Sequence, residues 1–184
     1  MKQVKCVSCE GHYILRDSKF GIFAGCSNYP QCKSTIKLHD LILSLIRTYG
    51  VGVYKWEKEC YKCGKKTPVY SYYLSYELAE MDYYFQGSCD EVGIGDIAYF
   101  DQLLERRYPT IRKQFSKTTN TSYMANTCIY CNALQGKNYV VSDPHEIIGE
   151  LWHDRGMGKY HIETMQCHDT KLIEKDIRRI YLDR

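Results

Sequence analysis

The chain has 184 residues, a formal net charge of +3 and a mean hydropathy of −0.47. This length accommodates one domain or two small ones. The net charge is too small to indicate nucleic-acid binding by itself, and the longest apolar run, residues 41–46, is far too short to cross a membrane. The first residues, Met1-Lys-Gln-Val-Lys, are not followed by an apolar segment. The sequence therefore predicts no signal peptide and a cytoplasmic location, where CxxC pairs are expected to bind metal rather than form disulfides.

Charge is distributed unevenly along the chain. Residues 1–58 contain nine Lys or Arg against four Asp or Glu, and residues 106–117 contain five basic and no acidic residues. Residues 77–105, in contrast, contain eight acidic and no basic residues. This asymmetry indicates separate surfaces that face separate partners.

Four cysteines near the start of the chain have the spacing of a zinc site: Cys6, Cys9, Cys26 and Cys32. A CxxC pair places two thiolates on one side of a metal, and a later pair completes the tetrahedron that Zn²⁺ prefers. Because four thiolates leave no open position on the metal, the sequence predicts a structural site rather than a catalytic one.

Residues 4–38 resemble the C4 zinc finger at the C-terminal end of bacterial type IA DNA topoisomerases. The matching features are the CxxC pair, a hydrophobic strand that ends at Arg16, the turn Phe20-Gly-x-Phe23, and the segment Gly25-Cys-Ser-Asn-Tyr-Pro-x-Cys-Lys33. The resemblance implies a module that contacts DNA, mainly single strands. It implies no strand-passage activity, because the catalytic machinery of a topoisomerase does not fit beside this module in 184 residues.

The residues of this module suit nucleic-acid contact on their own terms. Basic side chains can meet phosphates, and aromatic rings can stack on unpaired bases. The residues that we expect to contact nucleic acid are Arg16, Lys19, Phe20, Phe23, Tyr29, Lys33 and Lys37. For Phe20 and Phe23 the alternative is that the rings cover the small core around the zinc.

A second group of cysteines consists of two distant CxxC pairs, Cys60/Cys63 and Cys128/Cys131. Since each pair can supply half of a tetrahedral site, we predict that they share one metal, which gives two Zn²⁺ per chain. The sixty-four residues between the pairs would then be an insertion. Residues 53–142 resemble a zinc-ribbon segment of poorly described bacterial proteins, and that resemblance implies a metal site and no activity.

Hydrophobic periodicity predicts helices over residues 38–49, 99–107 and 172–181. Strands are predicted over residues 51–56, 67–74, 134–141 and, at a sheet edge, 160–165, with a polar loop over 117–122 and a helix or bent loop over 144–153. The predicted fold class is α+β, with two zinc-ribbon units, short antiparallel strands and three or four helices. The expected domains are residues 1–50, and residues 51–184 with the insertion and the C-terminal helix.

Residues 70–105 combine several tyrosines with the acidic side chains. Negative charge repels phosphate, so we interpret this segment as a core strand followed by an acidic surface that binds a protein partner.

Cys89 and Cys167 lie outside both cysteine groups, and His161 and His168 are close to Cys167 in the sequence. A third metal site or a Cys–His nucleophile there is an alternative to two unpaired thiols, which are more common. The pairs His145-Glu146 and His153-Asp154 also suggest a nuclease, although no metal–carboxylate pattern supports one.

The principal hypothesis is a non-enzymatic, zinc-stabilised nucleic-acid-binding protein of bacterial or phage origin that contacts single-stranded DNA through its N-terminal ribbon. The first alternative is a phage- or defence-related protein-interaction factor that acts through residues 70–105. The second alternative is a metal-dependent nuclease.

Overall fold

A computed structural model of the protein describes residues 2–73, 92–141 and 156–181. Within these ranges short strands form three antiparallel sheets, accompanied by three α-helices of ten residues or more. This arrangement confirms the predicted α+β class. The elements in chain order are β1 (Tyr13–Arg16), β2 (Phe23–Cys26), β3 (Thr35–Lys37), α1 (Leu38–Tyr49), β4 (Val51–Glu59), β5 (Lys66–Tyr73), α2 (Ala98–Arg107), β6 (Ile111–Ser116), β7 (Thr121–Thr127), β8 (Leu134–Gln135), α3 (Lys137–Val141), β9 (His161–Met165) and α4 (Lys171–Tyr181).

The chain folds into two compact units. Among the described residues, the first unit comprises 2–50 and 166–181, and the second comprises 51–73, 92–141 and 156–165. The sequence placed the C-terminal helix in the second domain. In the structure this helix, α4, belongs to the first unit because it packs against α1.

In the first unit, the sheet β1-β2-β3 leads directly into α1. The helix has the predicted bounds and buries its apolar face, and it ends at Gly50, whose φ of 70° only glycine adopts readily. From α4 the side chains of Ile173, Ile177 and Tyr181 are buried. Each fully buried Leu or Ile on these two helices contributes about 1.5–3 kcal/mol, so the α1–α4 contact holds the unit together beyond its small sheet.

The second unit contains the other two sheets, ordered β5-β4-β9 and β6-β7-β8. Tyr72 of β5 is fully buried against Phe100 of α2, and its hydroxyl donates to Asp101 at 3.1 Å. On the other face, Trp56 and Val69 pack with Val140 of α3. Helices therefore cover both faces of the β5-β4-β9 sheet.

One side chain links β7 to β5. The amide of Asn126 accepts a hydrogen bond from the Tyr70 backbone N–H and donates one to the Tyr70 carbonyl, both at 2.8 Å. Strand β5 lies at the edge of its sheet, and Asn126 bonds to the backbone groups of Tyr70 to which a further strand would bond. The buried N–H and carbonyl of Tyr70 therefore both have hydrogen-bond partners. The contact links the two sheets two residues before Cys128, in the second group of cysteines.

The structure agrees with the helices predicted over 38–49, 99–107 and 172–181, and with the strands predicted over 51–56 and 160–165, the last of which is the edge strand β9. Of the strand predicted over 67–74, the described residues 67–73 lie in β5. The predicted strand over 134–141 is wrong. Only Leu134 and Gln135 are extended, and a short helix follows them. The helical conformation is favoured because it buries Val140 against Trp56.

The loop predicted over 117–122 is shorter than expected. Strands β6 and β7 were not predicted, and they form a hairpin in which only residues 117–120 turn. Asn120 takes the left-handed conformation there. Residues 144–153 lie outside the described ranges. No helix of the described residues is long and apolar enough to cross a membrane.

Candidate metal centres and nucleic-acid interface

The first cysteine group lies at one end of the β1-β2-β3 sheet. Cys6 and Cys9 precede β1, Cys26 ends β2, and Cys32 precedes β3. Their four sulfur atoms lie within 4.8 Å of one another. The Sγ atoms of Cys6 and Cys32 are 3.8 Å apart, and those of Cys9 and Cys26 are 3.4 Å apart.

These separations fit a tetrahedral zinc ion. With Zn–S bonds of about 2.3 Å, neighbouring sulfurs of a tetrahedron lie about 3.8 Å apart. A disulfide would bring them to about 2.0 Å instead. The geometry of the first group therefore matches four zinc-binding thiolates and not two disulfides.

Amide groups surround these sulfurs. The backbone N–H groups of Ser8, Gly11 and Asn28 each donate to a cysteine sulfur at 3.3–3.4 Å. The side-chain amide of Asn28 also points at the sulfur of Cys9, at 3.6 Å. Such donors orient thiolates and offset part of their negative charge, which favours metal binding by the ionised group.

The second group brings together the two distant CxxC pairs. The Sγ atoms of Cys60 and Cys131 are 3.7 Å apart, as are those of Cys63 and Cys128, and all four lie within 4.8 Å of one another. The structure thus joins the pairs across the insertion, as the sequence predicts. Gln135 donates from its side-chain amide to the sulfur of Cys60 at 3.4 Å.

The two halves of the second group share one backbone turn. In each half the first cysteine donates its N–H to the carbonyl five residues later, Lys65 after Cys60 and Ala133 after Cys128. The fourth residue after that cysteine is left-handed, with φ of 68° at Gly64 and 55° at Asn132. Glycine and asparagine are the residues that adopt this conformation most easily, which explains why they follow the two pairs.

The local environment gives the thiols of each group different pKa values. The backbone hydrogen bond from Ser8 lowers the pKa of Cys6 to about 6, whereas burial raises that of Cys26 to about 12. In the second group burial acts to raise the pKa of Cys128, but hydrogen bonds from the amides of Tyr130 and Cys131 outweigh it and lower the pKa to about 6. Burial likewise acts to raise the pKa of Cys60, but hydrogen bonds from the amides of Cys63 and Lys62 outweigh it and lower the pKa. Each group therefore contains at least one thiol that ionises readily, as a metal ligand must.

The chemistry and spacing of the eight cysteines thus fit two Zn²⁺ per chain. A zinc ion bound in such a group would supply a structural crosslink, since its four positions are filled by thiolates. Neither group includes Cys167, His161 or His168, and within the described ranges no further cluster of metal-binding side chains occurs. The Cys167 thiol is buried and donates to the Asp169 carbonyl at 3.4 Å. Cys89 and the pairs at 145–146 and 153–154 lie outside the described residues.

Strand register sorts the residues of the first sheet onto two faces. Arg16 pairs with Phe23, and Phe23 pairs with Lys37, so these three side chains form a row across one face. The alternate positions Tyr13, Leu15, Ala24 and Cys26 are buried on the other face. Phe23 therefore lies on the outward face with two basic residues, opposite the core.

The other expected contact residues are exposed around this row. Tyr29 is 61% exposed, and the Arg16 guanidinium lies 5.5 Å from the centre of its ring. At the β1–β2 turn Phe20 is 88% exposed, with the Lys19 ammonium 4.9 Å from its ring. Phe20 consequently covers no core. Lys33 is also exposed.

Gly25 leaves space for Arg16 in this arrangement. A Cβ atom at Gly25 would lie 2.7 Å from the Arg16 Nε, which is closer than atoms approach without displacement. The guanidinium donates to the Cys26 carbonyl at 3.3 Å. The absence of a side chain at Gly25 therefore lets Arg16 lie flat on the sheet beside Tyr29.

Two acidic residues of the segment predicted to bind a protein are engaged inside the second unit. Asp101 is buried and accepts from the Tyr72 hydroxyl, and Asp96 pairs with Lys137 at 2.6 Å. Residues 74–91 lie outside the described ranges. A protein-binding role for residues 70–105 stays a prediction.

The fold and the cysteine groups together define a zinc-binding α+β protein. The family profile of the topoisomerase DNA-binding C4 zinc finger matches residues 3–40, which contain the first cysteine group and the outward row of Arg16, Phe23 and Lys37. No match was found among curated proteins or among solved structures. The family match thus covers the N-terminal ribbon.

The sequence did not identify several residues at the second site. Gln135 contacts a cysteine sulfur, and the residues inside the CxxC pairs, Tyr61, Ile129 and Tyr130, are exposed. Their position in the sequence could have predicted this exposure. When both cysteines of a CxxC pair turn toward the metal, the residues between them lie on the outside of the turn.

Proposed function

We propose that the protein is a zinc-stabilised nucleic-acid-binding protein and that its N-terminal ribbon contacts single-stranded DNA. The observation that carries the proposal is the outward face of the first sheet, where Arg16, Phe23 and Lys37 form a row with Tyr29 beside it. The match of residues 3–40 to a DNA-binding zinc-finger family supports the same function.

The preference for single strands follows from the exposed rings. Phe20 and Tyr29 are largely exposed, and bases can stack on such rings only when they are not paired inside a duplex. The neighbouring cations Arg16 and Lys19 lie close enough to reach phosphates that flank a stacked base. Zinc would fix the sheet, so that little conformational freedom is lost on binding.

The stacking part of the proposal is tested by fluorescence anisotropy with a labelled single-stranded oligonucleotide. Phe20→Ala should weaken binding by about 1–3 kcal/mol, the usual size of one base–aromatic contact. Because Phe20 is 88% exposed, this variant should keep its fold and zinc. Phe115→Ala is the matched control, since Phe115 is an exposed phenylalanine of the second unit.

The phosphate part is tested by salt dependence. Lys33→Ala should reduce the slope of log affinity against log salt by about 0.7, the value for one phosphate contact to a single strand. Lys175→Ala, at an exposed position of α4, should leave the slope unchanged. Equal affinities for the wild type and both ribbon variants, or no binding at low salt, would refute the proposed function.

A further inference from the structure

The second cysteine group carries an exposed aromatic surface outside the ribbon. We define the knuckle surface as Tyr61, Lys62, Lys65, Ile129 and Tyr130. Exposure is 63% for Tyr61, 49% for Ile129 and 56% for Tyr130. All of these residues except Lys65 lie between the cysteines of the two CxxC pairs, so the turns that direct the sulfurs inward direct their side chains outward.

The two turns form one continuous surface. The ammonium of Lys65, which follows the first pair, lies 4.9 Å from the ring centre of Tyr130 in the second pair. The backbone N–H of Ile129 donates to the Thr67 hydroxyl at 3.1 Å, which joins the two turns below the surface. A ligand that covers Tyr61 and Tyr130 would therefore meet residues of both pairs.

The surface is also held in place before any ligand binds. Tyr61 packs edge-on against Tyr139, with ring centres 5.8 Å apart and planes at 79°. Tyr139 donates its hydroxyl to the Glu59 carbonyl, and the Lys58 ammonium lies 4.3 Å from its ring. Rigid tyrosines lose little conformational entropy when a partner stacks on them.

The positive charge of the knuckle surface favours an anionic partner. Residues 58–66 contain four lysines and one glutamate. Three of these lysines are exposed, namely Lys62, Lys65 and Lys66. The glutamate of the segment is Glu59. Exposed aromatic faces with flanking cations match the repeating base and phosphate of a single-stranded polynucleotide.

We propose that the knuckle surface is a second binding site for single-stranded nucleic acid, with bases stacked on Tyr61 and Tyr130 and phosphates near Lys62 and Lys65. The site lies outside residues 3–40, which the zinc-finger family covers. It stands independently of the ribbon, because the observations that carry it come from the second unit alone.

Photocrosslinking of the full-length, zinc-loaded protein tests the site. The probes are oligonucleotides of about 20 nucleotides in which iodouracil replaces several bases, in a DNA arm and an RNA arm. After irradiation, peptide mapping should show adducts at Tyr61 or Tyr130, and the arm that gives them identifies the polymer. Adducts confined to residues 3–40 in both arms would overturn the inference, and would leave the tyrosines as a surface for some other partner.

Affinity measurements supply the second readout. In a Phe20→Ala background, adding Tyr61→Ala and Tyr130→Ala should weaken binding at least about fivefold, the lower limit for one stacked base. Charge reversal by Lys62→Glu and Lys65→Glu keeps the backbone groups of both residues that contact Cys60, and it should weaken binding similarly. Phe115→Ala in the same background is the control. Unchanged affinity in both sets, with two zinc ions retained, would also overturn the inference.

The outcomes separate the two sites. Adducts at the knuckle surface without adducts in the ribbon would refute the proposed function and support the second site. Adducts at both would support both, and adducts at neither would refute both.

Discussion

The contact between Asn126 and Tyr70 gives a stability prediction that can be worked out from the structure. Asn126→Ala removes the partners of the Tyr70 N–H and carbonyl, each of which is bonded at 2.8 Å and buried. A buried polar group left without a partner costs about 1–3 kcal/mol, so two such groups would cost about 2–6 kcal/mol.

Water limits the loss. A cavity of about 10 Å³ borders Tyr70, Asn126 and Gln135, and that volume is at the lower limit for one water molecule. Truncation of Asn126 enlarges the cavity, so a water can enter and bond to one of the two exposed groups. We therefore expect the free energy of unfolding of the second unit to fall by about 2–3 kcal/mol, near the lower end of the range.

Urea unfolding followed by tryptophan fluorescence measures this change, because Trp56 is buried in the second unit. Hydrogen exchange of the Tyr70 amide gives a local readout and should become faster. Ser122→Ala, at an exposed position of the same strand, should change stability by less than about 0.5 kcal/mol. A loss under about 1 kcal/mol for Asn126→Ala, with Tyr70 still protected and both metals bound, would refute the reasoning.

Three further predictions concern the metal sites and the ribbon. Elemental analysis of the purified protein should give two zinc ions per chain, because the eight cysteines form two groups of four, and one ion or none would contradict the two-site structure. Cys128→Ser should cost one zinc and destabilise the second unit while the ribbon keeps its metal; retention of both ions would show that the ligand set is wrong. Gly25→Ala should displace Arg16 from Tyr29 and weaken oligonucleotide binding several-fold at unchanged zinc content, because its Cβ would lie 2.7 Å from the Arg16 Nε; wild-type affinity in an anisotropy titration would show that this placement of Arg16 does not matter for binding.

The sequence by itself determined the features that depend on local spacing. Cysteine spacing predicted which four cysteines form each group, because a CxxC pair places two thiolates on one side of a metal whatever the rest of the chain does. Helical periodicity located α1, α2 and α4, since their apolar positions recur every three to four residues.

Local pattern failed where distant residues decide the conformation. Residues 137–141 have the composition of a strand but form a helix, because Val140 packs against Trp56 and Val69, far away in the sequence. In the same way α4 belongs with α1, since burial of its apolar face depends on a helix more than a hundred residues earlier in the chain.

The tertiary structure alone decided which aromatic residues face outward. Composition left it open whether Phe20 and Phe23 cover the zinc core, whereas strand register places Phe23 beside Arg16 and the turn exposes Phe20. It also revealed the outward tyrosines of the second group, Tyr61 and Tyr130. The physical reason is that a side chain's exposure depends on which strands pair and in what register, and this is settled only when distant parts of the chain meet.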